Sequence, residues 1–203
     1  MYFSKWLLKS NKPVNPYRLH KIIWQLFPDQ ADAERSFLFR IENTRQNCEQ
    51  HIFLQSLSQP QATSEELIML REPKEVHFDL KAGNSYRFML CANPTKKIND
   101  KSGKDKRNQG KVRVPLIHDE EIVAWIKRQL EGSAEVDSVE LVHKNLLRFY
   151  KNKSGDRHVG KIQTVTFLGV LTVENPELLI AKIANGIGPA KSFGCGLLTL
   201  AKI

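Results

Sequence analysis

The sequence predicts an α+β protein built as two successive strand–helix–strand–strand–helix–strand units. Strand and helix hydrophobic periods recur in the same order twice along the chain. A turn signal, Ala82-Gly83-Asn84, separates the two sets and places the expected domains at 1–83 and 84–203. The 203 residues, 41% hydrophobic and 26% charged, are enough to bury a core in each.

Tyr2 to Leu8 is the first strand. A helix over Pro16 to Phe27 follows, with Leu19, Ile22, Ile23 and Leu26 forming one apolar stripe. Asn15 is its N-cap and Pro16 suits its first position. Ser36 to Glu42 alternates, setting Phe37, Phe39 and Ile41 on one face, and His51 to Leu57 is the next strand. Thr63 and Glu66 make a capping-box-like pair for a short helix over Ser64 to Leu70. Val76 to Leu80 then closes the first sheet.

Tyr86 to Ala92 opens the second unit and stops at Asn93-Pro94. The glycine- and lysine-rich stretch Lys96 to Lys111 interrupts, and Val112 to Val114 returns as a strand fragment. A helix over Asp119 to Leu130 carries Ile122, Val123, Ile126 and Leu130 on one side, with acids in its first turn where the macrodipole favours them. Val136 to Tyr150 and Gly160 to Val173 are long strands joined by the basic turn Lys151 to His158. Asn175 caps a helix reaching about Asn185, and a glycine-rich connection leads to a last strand, Leu197 to Lys202. The order implies two tandem ferredoxin-like (βαββαβ) domains, each with helices on one face of its sheet. Two such modules side by side leave a cleft.

Charge narrows the function classes. The formal net charge is +9, and its placement matters more than its size. Lys96 to Arg113 holds eight basic and two acidic residues, and Lys144 to Lys161 holds six and one. The rest of the chain is slightly acidic, so two basic blocks form the footprint of a polyanion partner. Cys48, Cys91 and Cys195 have no metal-ligand spacing, which fits a reducing cytoplasm and predicts no metal or cofactor. The N-terminal MYFSKWLLKS reads as a strand, not a signal peptide, and no segment reaches transmembrane length.

Two motifs carry chemistry. Gly186-Ile-Gly188-Pro-Ala-Lys191-Ser192-Phe-Gly194-Cys-Gly196 offers backbone freedom, exposed amides and a lysine, the ingredients of a phosphate cradle or of a tight helix-to-strand turn. Tyr17 and His20 lie one helical turn apart, off the apolar stripe and with Trp24 to the same side. A histidine near a helix start feels the positive dipole end, which disfavours its charged form. Beside a phenol it suits general acid–base work on a phosphodiester. The other five histidines have no such setting, and a Tyr-x-x-His spacing alone is also a common surface pair.

These segments converge. Asn15-Pro16-Tyr17-x-x-His20, Arg87-x-x-x-x-Ala92-Asn93-Pro94, Val114-Pro115-Leu116, Gly160-Lys161-Ile162-Gln163 and the closing glycine motif through Leu198 together resemble the CasE family. These are the endoribonucleases that process CRISPR repeat RNA in type I-E systems. The resemblance covers the chain end to end. It implies metal-independent cleavage at the 3′ base of a repeat hairpin by 2′-OH attack, leaving 2′,3′-cyclic phosphate and 5′-OH ends. It further implies retention of the crRNA within the Cascade complex, with other Cascade subunits as partners and no membrane. His20 is then the principal proton-transfer residue, Tyr17 positions the 2′-OH or steadies the phosphorane, and Lys161 neutralises charge nearby. Lys104, Lys106, Arg107, Lys111, Arg113, Lys151, Lys153, Arg157, Lys191 and Ser192 are the expected RNA contacts. The rival is a non-catalytic hairpin-binding subunit with the same basic blocks; a general nucleic-acid-binding protein of this fold is the third reading.

Overall fold

The computed structural model describes residues 1–10, 14–28, 34–43, 50–62, 64–99, 111–153 and 156–203, with only the backbone at 43, 151–153 and 156–158. The first sheet comprises β1 (Tyr2–Leu8), β2 (Phe37–Asn43), β3 (Gln50–Ser56) and β4 (Leu67–Glu75), with α1 (Pro16–Trp24) between β1 and β2. All its pairings are antiparallel, in the order β2-β3-β1-β4. The second sheet is β10 (Leu198–Lys202), β5 (Ser85–Ala92), β9 (Asp156–Val173) and β8 (Ala134–Lys153), in that order. Renumbered within each unit, both sheets place the fourth strand beside the first, as ferredoxin-like units do. A separate ribbon, β6 (Thr95–Asn99) against β7 (Lys111–Pro115), precedes α2 (Asp119–Leu130), and α3 (Pro176–Asn185) leads into the glycine connection.

Each core follows from the periodicities. Leu19, Ile22, Ile23 and Leu26 fill the space against Trp6, Phe39, Ile52 and Leu54 of the first sheet. Ile122, Trp125, Ile126, Leu130, Leu179 and Ile183 cover Phe88, Leu90, Val165 and Phe167 of the second. Burying such side chains stabilises by roughly 1.5–3 kcal/mol each before entropy is charged against them. Among the bonds that tie the two units together, two start from the first sheet. The Gln55 amide donates to the Ile183 carbonyl at 2.8 Å, and Arg40 donates to Thr199 Oγ1 at 3.3 Å.

One expected helix is a strand. Ser64 to Leu70 does not turn into a helix; Leu67–Glu75 pairs along the free edge of β1, with Leu8 opposite Leu67 and Trp6 opposite Met69. The Glu66 carboxylate, expected in a capping box, instead holds Arg18 at 2.7 Å, while its carbonyl accepts from Lys9 N at 2.8 Å. Thr63 lies outside the described residues. A local cap contributes about 1 kcal/mol, whereas the ladder satisfies a whole row of backbone groups on β1. Pro73 is tolerated because β4 is an edge strand. The strand expected over Val76 to Leu80 is likewise absent: that segment is extended connection, and Phe78 and Leu80 pack on the second core. Among the described residues, the first unit therefore has one helix where two were expected.

The β8–β9 hairpin outgrows its sheet. Pairing runs from Ala134–Val173 to Lys153–Asp156, whereas β5 covers β9 only from Val165 to Thr172. The half from Asn145 outward projects beyond the sheet, toward α1.

Candidate active site and nucleic-acid interface

The start of α1 is specified twice over by Asn15. Its Oδ1 accepts from Tyr17 N at 3.1 Å, the N-cap bond, and its Nδ2 donates to the Tyr150 carbonyl of β8 at 3.0 Å. One side chain thus caps the helix and pins it to the projecting hairpin. Tyr17 faces outward from the first turn, with the Lys21 ammonium 5.2 Å from its ring centre.

His20 does not stand clear of the body. Its ring packs on Phe37 at 5.5 Å and edge-on to Trp24 at 6.2 Å, while Phe37 stacks in turn on Phe27. Its Nε2 is buried with no hydrogen-bond partner among the described residues, an arrangement that native proteins keep where function explains it. The pKa lies below the ordinary value of 6.5, first because burial disfavours the charged ring and second because the Arg35 guanidinium is near. The direction is the one expected from sequence, with burial and the Arg35 guanidinium as its causes.

The glycine connection meets this site from the other sheet. Its short 3-10 turn, Lys191–Phe193, packs against α1 and β2. Arg35 donates to Ser192 Oγ at 3.5 Å, and Phe193 lies 4.6 Å from Phe149 of β8, centre to centre. Gly186 has φ +76°, and a Cβ there would come within 2.7 Å of Leu38, so the close approach to β2 requires glycine. Five of the connection's amides are spent inside the protein: Gly186 on Lys182, Ile187 on Gly196, Phe193 on Ala190, Gly194 on Lys191 and Gly196 on Cys91. Lys191 itself donates to the Asn185 carbonyl at 2.6 Å, capping α3. The segment is thus a structural joint as much as a cradle.

Basic side chains cluster on the two ribbons. In β6–β7, Lys97 faces Arg113 across the ladder; in β8–β9, Arg148 faces Lys161. All four are exposed, and no carboxylate bridges either pair among the described residues. Like charges directly opposite on a sheet are destabilising, so this surface holds positive charge against its own stability. Lys96 and Lys144, by contrast, are paired with Glu121 and Asp119 at the start of α2. A cleft of about 850 Å³ opens between the sheets, bordered by Asn15, Arg40, Asn145, Arg148 and Tyr150.

The expected residues are thus distributed over two elements and a joint. Tyr17 and His20 share α1, Ser192 reaches them through Arg35, and Lys161 sits exposed on the hairpin whose β8 strand touches α1. Lys111 and Arg113 are exposed on β7. Lys104, Lys106 and Arg107 lie outside the described residues, as do the side chains of Lys151, Lys153 and Arg157. Arg35, Phe37 and the double role of Asn15 escaped sequence reasoning; their positions are set by contacts between distant segments. Among the described residues no three His, Cys, Asp or Glu side chains are grouped to hold a metal ion, and Cys91 and Cys195 are free thiols.

Comparison with known proteins adds a direct finding. A family model described as CRISPR associated protein matches residues 1–202. The chain is 42% identical to the CRISPR system Cascade subunit CasE of Escherichia coli K12, covering 100% of both. It is 32% identical to the CRISPR-associated endoribonuclease Cse3 of Thermus thermophilus, over 92% of this chain and 90% of that one. The solved structure of CRISPR endoribonuclease Cse3 bound to 19-nucleotide RNA superposes with a TM-score of 0.83 at 28% identity, covering 99% of this chain and 100% of that one.

Proposed function

This chain belongs to the CRISPR-associated protein family matched over residues 1–202, and from that premise we propose that it is the endoribonuclease that cuts CRISPR repeat RNA and keeps the product as a Cascade subunit. The observation that carries the reading is His20: a desolvated imidazole, neutral near pH 7, one turn from the Tyr17 phenol, where the glycine joint meets α1 and the basic hairpin approaches it. Relatives named as a Cascade subunit and as an endoribonuclease support the same assignment.

The chemistry follows from these groups. The ribose 2′-oxygen attacks the adjacent phosphorus, the P–O2′ bond forms and the P–O5′ bond breaks. The 2′-OH proton is lost and the 5′-oxygen gains one: a neutral imidazole accepts the first proton and, charged by that transfer, is the form able to donate one to the leaving oxygen. His20 performs this proton movement. Tyr17 donates a hydrogen bond to the 2′-OH or to the phosphorane, and Lys161 offsets charge on the phosphate. The ends are a 2′,3′-cyclic phosphate and a 5′-OH, and no divalent ion takes part. The like-charged ribbons hold the stem of the hairpin, and the α1 site cuts once at its 3′ base. The reaction belongs to the cytoplasm, where the precursor transcript is made; no helix among the described residues is long and apolar enough to cross a membrane.

The test is His20→Ala with a synthetic repeat hairpin under single-turnover conditions. Loss of the proton-transfer group slows cleavage by about 10²–10⁴-fold while hairpin affinity stays within a few-fold. Unchanged cleavage in the variant removes His20 from the chemistry and overturns this reading; a wild-type chain that binds the hairpin without cutting it belongs to the non-catalytic hairpin-binding class.

A further inference from the structure

Arg35 lies just ahead of β2, and the folded chain brings it to three groups at once. It donates to Ser192 Oγ on the glycine joint, and its charge is felt both by His20 on α1 and by Lys191. Its Nε is buried with no hydrogen-bond partner among the described residues, and none of the described carboxylates pairs with it. The bond to Ser192 is long, at 3.5 Å, and to a neutral oxygen. A half-buried guanidinium left in this condition is costly, because a desolvated cation needs a partner of opposite charge.

Lys191, the other cation at the joint, turns to the Asn185 carbonyl, and among the described residues Arg35 is the cation whose charge acts on His20. A planar fork of N–H donors fits two non-bridging phosphate oxygens better than it fits any single neutral acceptor.

Resting on the endoribonuclease reading above, we propose that Arg35 is a further catalytic residue, whose guanidinium grips the non-bridging oxygens of the scissile phosphate next to His20. Those oxygens gain negative charge as the 2′-oxygen adds to phosphorus, so the contact strengthens from ground state to transition state and accelerates the step rather than only tightening binding. The same charge adds to burial in disfavouring the protonated ring of His20. The alternative is a pin: Arg35 fastens the glycine joint to the first sheet through Ser192 and does nothing else.

Arg35→Gln and Arg35→Lys separate the two. The full chain is assayed for single-turnover cleavage of the repeat hairpin at saturating protein, for affinity toward the same hairpin with a 2′-deoxy block at the cut, and for the His20 pKa by NMR without RNA. Arg35→Gln is expected to slow cleavage about 10²–10³-fold with affinity for the blocked hairpin within a few-fold, and to raise the His20 pKa. Arg35→Lys, which keeps the charge but not the fork, recovers part of the rate. Wild-type cleavage by Arg35→Gln overturns the proposal and leaves the endoribonuclease reading standing. Equal losses in both variants together with a lowered melting temperature also overturn it, in favour of the pin. A wild-type protein that binds the hairpin but never cuts it overturns the endoribonuclease reading and this proposal with it.

Discussion

Asn15 makes two bonds that can be removed separately. Asn15→Ala deletes both the cap to Tyr17 N and the donor to the Tyr150 carbonyl. Asn15→Ser keeps a good N-cap oxygen but cannot reach β8. The cap contributes about 1 kcal/mol, and the exposed bond to β8 about 0.5–1 kcal/mol. Asn15→Ala should therefore cost about 1.5–2 kcal/mol and Asn15→Ser about 0.5–1 kcal/mol. For a chain of this size each kcal/mol lowers the melting temperature by roughly 2–4 °C, giving drops of about 3–8 °C and about 1–4 °C. Activity should not follow stability. Both variants lose the bond that holds α1 to the hairpin, and misplacing reacting groups by 1 Å can cost about 10²-fold, so both should cut at least about 10-fold more slowly. Calorimetry and single-turnover cleavage of the repeat hairpin read the two effects. If Asn15→Ser melts lower yet cuts at the wild-type rate, the argument that Asn15 aligns α1 with the RNA-holding hairpin fails.

Arg113→Gln removes one of two like charges facing each other on β6–β7, so the logarithmic salt dependence of hairpin binding should shallow by about 1 while stability holds or rises by about 0.2–1 kcal/mol; an unchanged slope places the RNA elsewhere. The His20 pKa is depressed in the folded chain, so the unfolded chain binds that proton first as pH falls. The stability contributed by neutral His20 is complete above pH 6.5 and is lost as pH falls from there toward the folded pKa. Urea midpoints of wild type and His20→Gln should therefore converge as pH falls through this window, and curves that stay parallel remove the depressed pKa from the account.

How much was legible depends on whether an element is decided locally. The helix at Asp119–Leu130 carries its stripe and first-turn acids, and the helix after Asn175 its side-chain cap and stripe, within a short window of sequence, and both fold where the sequence places them. At Leu67–Glu75 the local signal pointed to a helix, yet the open edge of β1 decided the outcome, and no window of sequence contains that edge. The site divides in the same way. Helical spacing alone sets Tyr17 and His20 on one side of α1. The ring of Phe37 under His20, the guanidinium of Arg35 beside it and the hold of Asn15 on Tyr150 come from β2, the segment before it and a hairpin far along the chain. The glycine motif was read as a phosphate cradle or a turn, and its amides serve the turn first. The basic blocks were visible as charge; that Lys97 faces Arg113 and Arg148 faces Lys161 depends on strand register.

The central claim is that His20-centred proton transfer cuts repeat RNA by attack of its own 2′-oxygen. The most direct test incubates the full chain with a synthetic repeat hairpin in excess EDTA and identifies the ends of the fragments. The account predicts one cut at the 3′ base of the stem, with a 2′,3′-cyclic phosphate (or its opened form) on one fragment and a 5′-OH on the other. A dependence on divalent ions, or fragments bearing 3′-OH and 5′-phosphate ends, would contradict it.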